Sequence, residues 1–319
     1  MSHAFIIRYD PKLIEEAVFH AQRDSCIAKV LDERRSRIYE IADPDEREQL
    51  FNDLYRSWFV RLGLGKVVDQ ALQEQPIIRT HVGSCYVVCA TQANEESAEL
   101  FVAPDRGLDE NQRRTLRVLI RPGLLLQQET AITFLRHELF HIADMLDPAF
   151  AYEPALPKAD GGPTHDSLIT NRYRVLWDVT ISGRMVRRGW ISESIRDEQL
   201  RVFRYTFSMP EEKSRELFSR FFDGERPTHL ELATFAFDPR AAIRSPNGAS
   251  TPGTHCPLCR FPTHAFEPEP ENLGNEVIST IRRDFPQWAP ALGLCAQCAD
   301  LYRANQLSIA AANELPGWH

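Results

Sequence analysis

The chain lacks a long apolar run. Stretches such as Val118–Ile120 and Leu124–Leu126 are short, and nothing approaches the ~18 consecutive apolar residues of a membrane span. The first residues carry one four-residue apolar patch, Ala4–Ile7, followed by Arg8 and Asp10. That is not the apolar core of a secretory signal, so the expectation is a cytoplasmic protein with no membrane partner. Positive charge is also in deficit: 37 Lys and Arg face 45 Asp and Glu, a net charge of −8. Such an acidic balance excludes DNA or an anionic membrane as an obligatory partner of the whole surface and leaves room only for local basic patches. Internal repeats and low-complexity tracts are absent. What remains is ordinary for a folded protein, with 43% hydrophobic and 26% charged residues, a balance that argues against wholesale disorder. The 319 residues accommodate one large domain, or one of roughly 200–250 residues with a small appendage.

Periodicity orders the chain. Leu13, Ile14, Ala17, Val18 and Ala21 recur at helical spacing, as do Ile27, Val30, Leu31, Ile38 and Ile41. Asp43-Pro44 reads as an N-cap followed by Pro at the first helical position, opening a helix through about Leu62. From Pro76 the texture changes. Pro76–Thr91 and Ala98–Ala103 are rich in β-branched and apolar residues, and Thr115–Arg121 alternates, with Leu116, Val118 and Ile120 on one side. These predict three strands of a small antiparallel sheet, the last ended by Pro122-Gly123. Helices are expected over Gln128–Leu146, Asp166–Arg188, Ser194–Met209, Glu211–Phe222 and Thr228–Phe235. Trp177, Tyr205, Phe221 and Phe222 read as core. Arg184–Arg188 with Arg196, Arg201 and Arg204 reads as a basic helical segment, solvated or paired with the acidic excess. Between Asp238 and Gly253 the composition becomes that of a linker, rich in Pro, Ser, Gly and Ala.

The most informative residues are His137-Glu138-Leu139-Phe140-His141. Two histidines four apart lie one turn apart on one helix face and can bind one metal ion, while the glutamate between them can act as a general base on a water. Ala131, Ile132, Leu135, Leu139, Ile142, Ala143 and Leu146 form the apolar stripe of the same helix, and the histidines fall on a different stripe. From about Thr115 to Leu146, in its order of strand, turn and HExxH helix, the sequence resembles the zincin metallopeptidases. The resemblance implies a fold in which the active-site helix packs under a sheet whose edge strand holds the substrate. It assigns zinc to His137 and His141 and the base role to Glu138.

A catalytic zinc takes a third protein ligand and keeps an open position. Asp178 lies in the nearly continuous apolar run Val175–Ile181, and a carboxylate set there needs a cation or hydrogen-bond donors. A ligand from the helix after the HExxH helix resembles the gluzincin arrangement, and the stretch resembles the second helix of some bacterial metallopeptidase domains. Gluzincins usually supply Glu, so Asp178 is a departure; Arg174 or Arg184 could instead pair with it. Asp147 matches the third-ligand position of metzincins, but Asp144 stands where those enzymes need Gly. His165, in Gly161–His165, loosely resembles the third histidine of SprT-like proteases, which also carry a C-terminal zinc module. Asp144 shares the stripe of both histidines and is placed to orient a ligand. Asp178 is the favoured third ligand, with Asp147 and His165 as alternatives.

Seven cysteines are present, too odd a number for a simple disulfide framework, and four of them form two CxxC pairs, Cys256/Cys259 and Cys295/Cys298. Two such knuckles close a tetrahedral four-thiolate site, here with a longer insertion than usual that reads as helical over Asn275–Arg283. A tail of this size needs such a staple. The pairs are therefore expected to hold a structural zinc in a small ribbon module. Arg260, Arg282, Arg283 and Arg303 give it modest basic character, and its partner could be protein, nucleic acid or its own domain. Cys85 and Cys89, four apart on an expected strand, stand ~13 Å apart at ~3.3 Å per residue. They cannot share an ion or a disulfide and read, with Cys26, as core.

The expected fold class is therefore α+β. It comprises a zincin-like domain over 1–238 with a small antiparallel sheet and an active-site helix, a linker over 239–254, and a zinc-ribbon module over 255–319. The expected function is a zinc metallopeptidase with two zinc ions, one catalytic and one structural, and a polypeptide substrate. That substrate is expected to pair with an edge strand at Thr115–Arg121, where Arg117 and Arg121 would favour acidic side chains. Hydrolysis of a non-peptide substrate on the same metal, or a zinc-stabilised binding or regulatory protein without turnover, are the alternatives.

Overall fold

The computed structural model describes residues 5–22, 27–105, 107, 109–156, 163–239, 256–259, 263 and 266–304. Cys26, Arg260 and the expected linker from 240 onward lie outside them. In chain order the elements are β1 (Ile6–Tyr9), α1 (Pro11–Gln22), α2 (Ile27–Tyr39), α3 (Pro44–Arg61), α4 (Lys66–Gln73), α5 (Pro76–His81), β2 (Ser84–Cys89), β3 (Ser97–Val102), α6 (Glu110–Arg113) and β4 (Arg114–Ile120). Then follow α7 (Gln128–Leu146), α8 (Pro163–Arg187), α9 (Ile195–Phe207), α10 (Glu211–Phe222), α11 (His229–Phe237) and α12 (Asn275–Asp284). The protein is mixed α+β. No helix among the described residues is long and apolar enough to cross a membrane.

Contacts divide the chain into two compact units. The first comprises Met1–Pro154, Asp178–Gln199 and Ser219–His229; the second comprises Ala155–Trp177, Leu200–Phe218 and Leu230–His319.

The first unit is built on a four-stranded sheet of order β1-β2-β4-β3. β1 pairs with β2, and β2 with β4, in parallel; only β3 runs antiparallel, against β4. The sheet is thus mixed rather than antiparallel. The physical reason is connection length: parallel neighbours need a long crossover, and α1 to α5 supply one between β1 and β2. The stretch Pro76–Thr91 is not one strand either. Pro76 starts α5, where its missing N–H is no loss, and β2 begins only at Ser84. Alternation decides the faces. Cys85, Val87, Leu116, Val118 and Ile120 are buried against a core that includes Leu13, Val68, Leu135 and Leu139. The opposite face carries the register row Arg8, Tyr86, Arg117 and Glu99, in which Arg8 Nη1 donates to Tyr86 Oη at 2.9 Å and Arg117 Nε to Glu99 at 3.0 Å.

Local chemistry sets the helices. The Asp43 carboxylate caps α3, accepting from the N–H groups of Asp45 and Glu46 at 2.8 and 3.1 Å. In α7, Ala131, Leu135, Leu139, Ile142 and Leu146 form the buried stripe, while His137 and His141 on the neighbouring stripe are half-buried. Gly183 lets α8 approach the chain at Phe222. A Cβ on Gly183 would lie 1.8 Å from the Phe222 carbonyl oxygen, so any side chain there would force the backbone apart.

In the second unit, Phe203, Phe207, Phe218 and Phe235 pack ring to ring, with centroids 4.6–6.4 Å apart. Trp177 is buried as expected, but Tyr205 is 90% exposed. It lies two residues from both Phe203 and Phe207, which turns it to the far side of α9. A separate cluster of Leu258, Leu273, Val277, Ile281, Trp288 and Leu294 surrounds the cysteine pairs.

Candidate metal centre

The first unit brings His137, His141 and Asp178 together: one ligand atom from each lies within 4.8 Å of the others, so the group could hold a metal ion. Asp178 Oδ1 stands 3.0 Å from His141 Nε2 and 3.7 Å from His137 Nε2. The two imidazoles stack edge to face one turn apart, with centroids 5.1 Å apart. Leu176, Trp177, Val179 and Ile181, its neighbours in sequence, are buried, whereas the Asp178 carboxylate, half-buried, turns toward the histidines.

Glu138 lies beside this group. Its Oε1 is 3.2 Å from His137 Nδ1, and its Oε2 accepts a hydrogen bond from the Ala98 backbone N–H at 3.2 Å. Burial alone would push the Glu138 carboxyl up. The His137 hydrogen bond, the two imidazoles and the Ala98 N–H outweigh it and hold the group below its ordinary range. Burial likewise disfavours a charged His137, yet the Glu138 hydrogen bond and the Asp178 charge win and raise its pKa. If the Nδ1 proton faces Glu138, the Nε2 lone pair faces a carboxylate oxygen, an arrangement that needs a cation or a proton between them.

The other candidates stand outside this group. Asp147 caps the end of α7, accepting from the Ala149 N–H at 2.8 Å and pairing with Arg226 at 2.7 Å. Burial raises its pKa, but these partners outweigh that and lower it. Asp144 is 1% exposed and forms a two-pronged pair with Arg184, at 2.8 and 2.5 Å, with Arg226 a further 3.4 Å contact. This pair ties α7 to the helix that carries Asp178. His165 belongs to neither metal-capable group, and its buried Nδ1 has no hydrogen-bond partner.

The strand next to the histidine helix is not the expected one. β4 lies between β2 and β3, with ladders on both sides, so Thr115–Arg121 is interior and cannot accept a peptide. Its arginines are spent within the sheet region: Arg117 pairs with Glu99 at 2.5 Å and Arg121 with Glu96 at 3.0 Å. The sheet has two edge strands, β1 and β3, and the one beside α7 is β3, whose Ala98 N–H points off the sheet to Glu138. His137 also lines a cavity of about 420 Å³, together with other residues of α7, Ser182 and Met185 of α8, the connection at Ile191, Ser192 and Ser194, and the first turns of α9.

The second metal-capable group is Cys256, Cys259, Cys295 and Cys298. Sulfur–sulfur separations are 4.0 Å for Cys256 with Cys298 and 3.8 Å for Cys259 with Cys295. A tetrahedral thiolate site with bonds of ~2.3 Å requires sulfurs about 3.8 Å apart. The Cys295 and Cys298 N–H groups donate to the sulfurs of Cys256 and Cys295 at 3.2 and 3.4 Å. The hydrogen bond from the Cys298 thiol leads the effects that pull Cys295 down to about 5. Cys85, by contrast, is fully buried and burial pushes its thiol up to about 12. Cys89 is half-buried, with its thiol 3.7 Å from a Glu16 oxygen. The expected basic segment is largely paired, Arg184 with Asp144, Arg196 with Asp223 and Arg204 with Glu211.

Ala98 and the Arg184–Asp144 pair have no signal in the sequence. A backbone donor is the same at every residue, and an ion pair forty positions apart has no spacing rule. Set against protein-family models, curated proteins and solved structures, the chain matches none.

Proposed function

We propose that the protein is a zinc-dependent metallopeptidase. The carrying observation is the convergence of His137, His141 and Asp178 with Glu138 beside them. Two imidazoles and a carboxylate form a borderline donor set that suits zinc, and three protein ligands leave a position for water or substrate. A zinc ion there supplies Lewis acidity toward a carbonyl. The chain's own residues do the rest. Glu138, held ionised, takes the proton of the attacking water and passes it to the leaving amine. The outer edge of β3, apart from the Ala98 N–H, offers main-chain groups to an extended polypeptide, and a substrate pairing there lies next to Glu138, because Ala98 already reaches it. The cysteine group suits a structural zinc with no open position.

Zinc-loaded protein is expected to cleave members of a mixed peptide library, and a chelator to abolish this. Glu138→Gln is expected to keep the metal and the fold while turnover falls by ~10²–10⁴. Metal retained at the histidines without cleavage of any peptide would favour the binding-protein alternative, and full activity in the Gln variant would rule out Glu138 as the base.

A further inference from the structure

The cavity beside His137 has a chemical character of its own. Its wall is apolar where Phe134 of α7, Met185 of α8 and Ile195 of α9 meet, and Met185 is 1% exposed. At about 420 Å³ it falls within the ~300–1,000 Å³ of small-ligand pockets. One carboxylate lines it: Glu198, which sits one turn after Ile195 and so shares its face of α9. Glu198 is exposed and has no hydrogen bond or ion pair among the described residues. No Lys or Arg lines the cavity. Because His137 is part of the same wall, a substrate bound at the His–His–Asp group has this cavity at hand for its adjoining side chain.

We propose that this cavity is the specificity pocket of the site and selects a long side chain with an apolar stem and a cationic head, Lys or Arg, beside the scissile bond. This rests on the metallopeptidase reading. The stem of such a side chain lies along the Phe134, Met185 and Ile195 surface while its head reaches the unpaired carboxylate. An acidic side chain meets Glu198 as a like charge, and a neutral one of equal length gains only the apolar contact. Discrimination thus comes from an attractive and a repulsive element together.

The test uses full-length zinc-loaded Glu138→Gln protein, so that binding is measured without turnover. Blocked hexapeptides that differ at one residue, Arg, Lys, norleucine or Glu, are titrated calorimetrically, and the same set is offered to wild-type protein for cleavage. The Arg and Lys peptides are expected to bind about fivefold tighter than the norleucine peptide, the scale of a partly exposed ion pair. The Glu peptide is expected to bind weakest. Glu198→Gln in the same background should erase the Arg and Lys advantage, Glu198→Lys should reverse it toward Glu, and added salt should erode it in the parent. Equal affinities for Arg and norleucine, no binding of any peptide, or a preference that survives Glu198→Gln would overturn the pocket assignment. A Glu198-dependent Arg preference in a protein that cleaves nothing would leave the pocket standing and remove the hydrolase reading. Cleavage without Arg or Lys preference would do the reverse.

Discussion

The two metal-capable groups start from the same device, a short spacing that sets two side chains side by side, HxxxH on a helix and CxxC once on a turn, at Cys256–Cys259, and once at the start of a helix, at Cys295–Cys298. Their surroundings differ. The cysteine group has four sulfurs, N–H donors aimed at two of them, and a wall of Leu258, Val277, Ile281 and Trp288. The histidine group has three metal-capable side chains, a neighbouring carboxylate, a strand edge and a cavity. Spacing alone tells which atoms can meet; whether a metal would be sealed in or left reachable is decided by what else the fold brings there.

The sharpest way to break that contrast is to remove one metal and watch the other. Structural zinc contributes on the order of 10–16 kcal/mol to small zinc modules. Cys256→Ser with Cys259→Ser is therefore expected to lose one of two zinc equivalents by metal analysis. Trp288, 4% exposed and bonded through Nε1 to the Gly293 carbonyl at 2.7 Å, should become solvated, with red-shifted emission. The histidine group should keep its metal. Loss of both metals would mean that the two centres are not separable.

Next in size is Asp144→Asn. Removing one partner of a buried ion pair leaves the other uncompensated, a cost of roughly 3–5 kcal/mol, and Asp144 is 1% exposed with the Arg184 side chain at 13%. Denaturant titration should show this loss, with weakened metal binding at the histidine group and none at the cysteines. An unchanged midpoint would show that the pair does not brace α7 against α8.

Smaller again is Ala98→Pro. Pro is tolerated on an edge strand where its N–H side faces outward, and here that N–H serves Glu138. Hydrogen bonds to charged groups contribute ~1.5–3 kcal/mol, so peptide turnover should fall roughly 10–100-fold with both metals retained. Unaltered turnover would show that Ala98 does not position the base.

The smallest effect concerns acid. The hydrogen bonds from Arg136, at 2.7 Å to each Glu74 oxygen, outweigh burial and hold the Glu74 carboxyl below its ordinary value. A depressed folded pKa contributes stability that is complete above the unfolded value of ~4.3 and is lost as pH falls through the folded value. Glu74→Gln should therefore cost about 1 kcal/mol or less at neutral pH and flatten the acid limb of the stability profile below about pH 4.3. Wild-type and variant curves that stay parallel through that window would remove Glu74 from the account.

Much of this was legible where the signal is local. Asp43-Pro44 marks the start of α3 because cap and first turn are adjacent in sequence. The span Gln128–Leu146 of α7 follows from its apolar stripe, and Asp178 stood out because a carboxylate in an apolar run demands a partner. Strand direction was not legible: Thr115–Arg121 alternates equally well in either orientation and at the edge or the interior, and what decides is that β3 takes the outer position antiparallel to β4, which leaves β4 parallel to β2 and inside the sheet. Ile77 and Ile78 read as strand by propensity, whereas Pro76 makes them helical. β1 is four residues long, too short for a period to show.

The first unit is assembled from three separated stretches of chain, and this has a consequence in time. During synthesis both histidines and Glu138 leave the ribosome before Asp178, and Asp178 before Arg226. A nascent chain ending at Pro154 carries the HExxH segment without its carboxylate partner, and Asp144 without either arginine. These contacts close loops of 40 and 82 residues, whose entropy cost is met only when both ends exist. The His–His–Asp group therefore cannot form on the early nascent chain, and a metal-dependent activity lodged there would switch on only after the helices that follow it have been made.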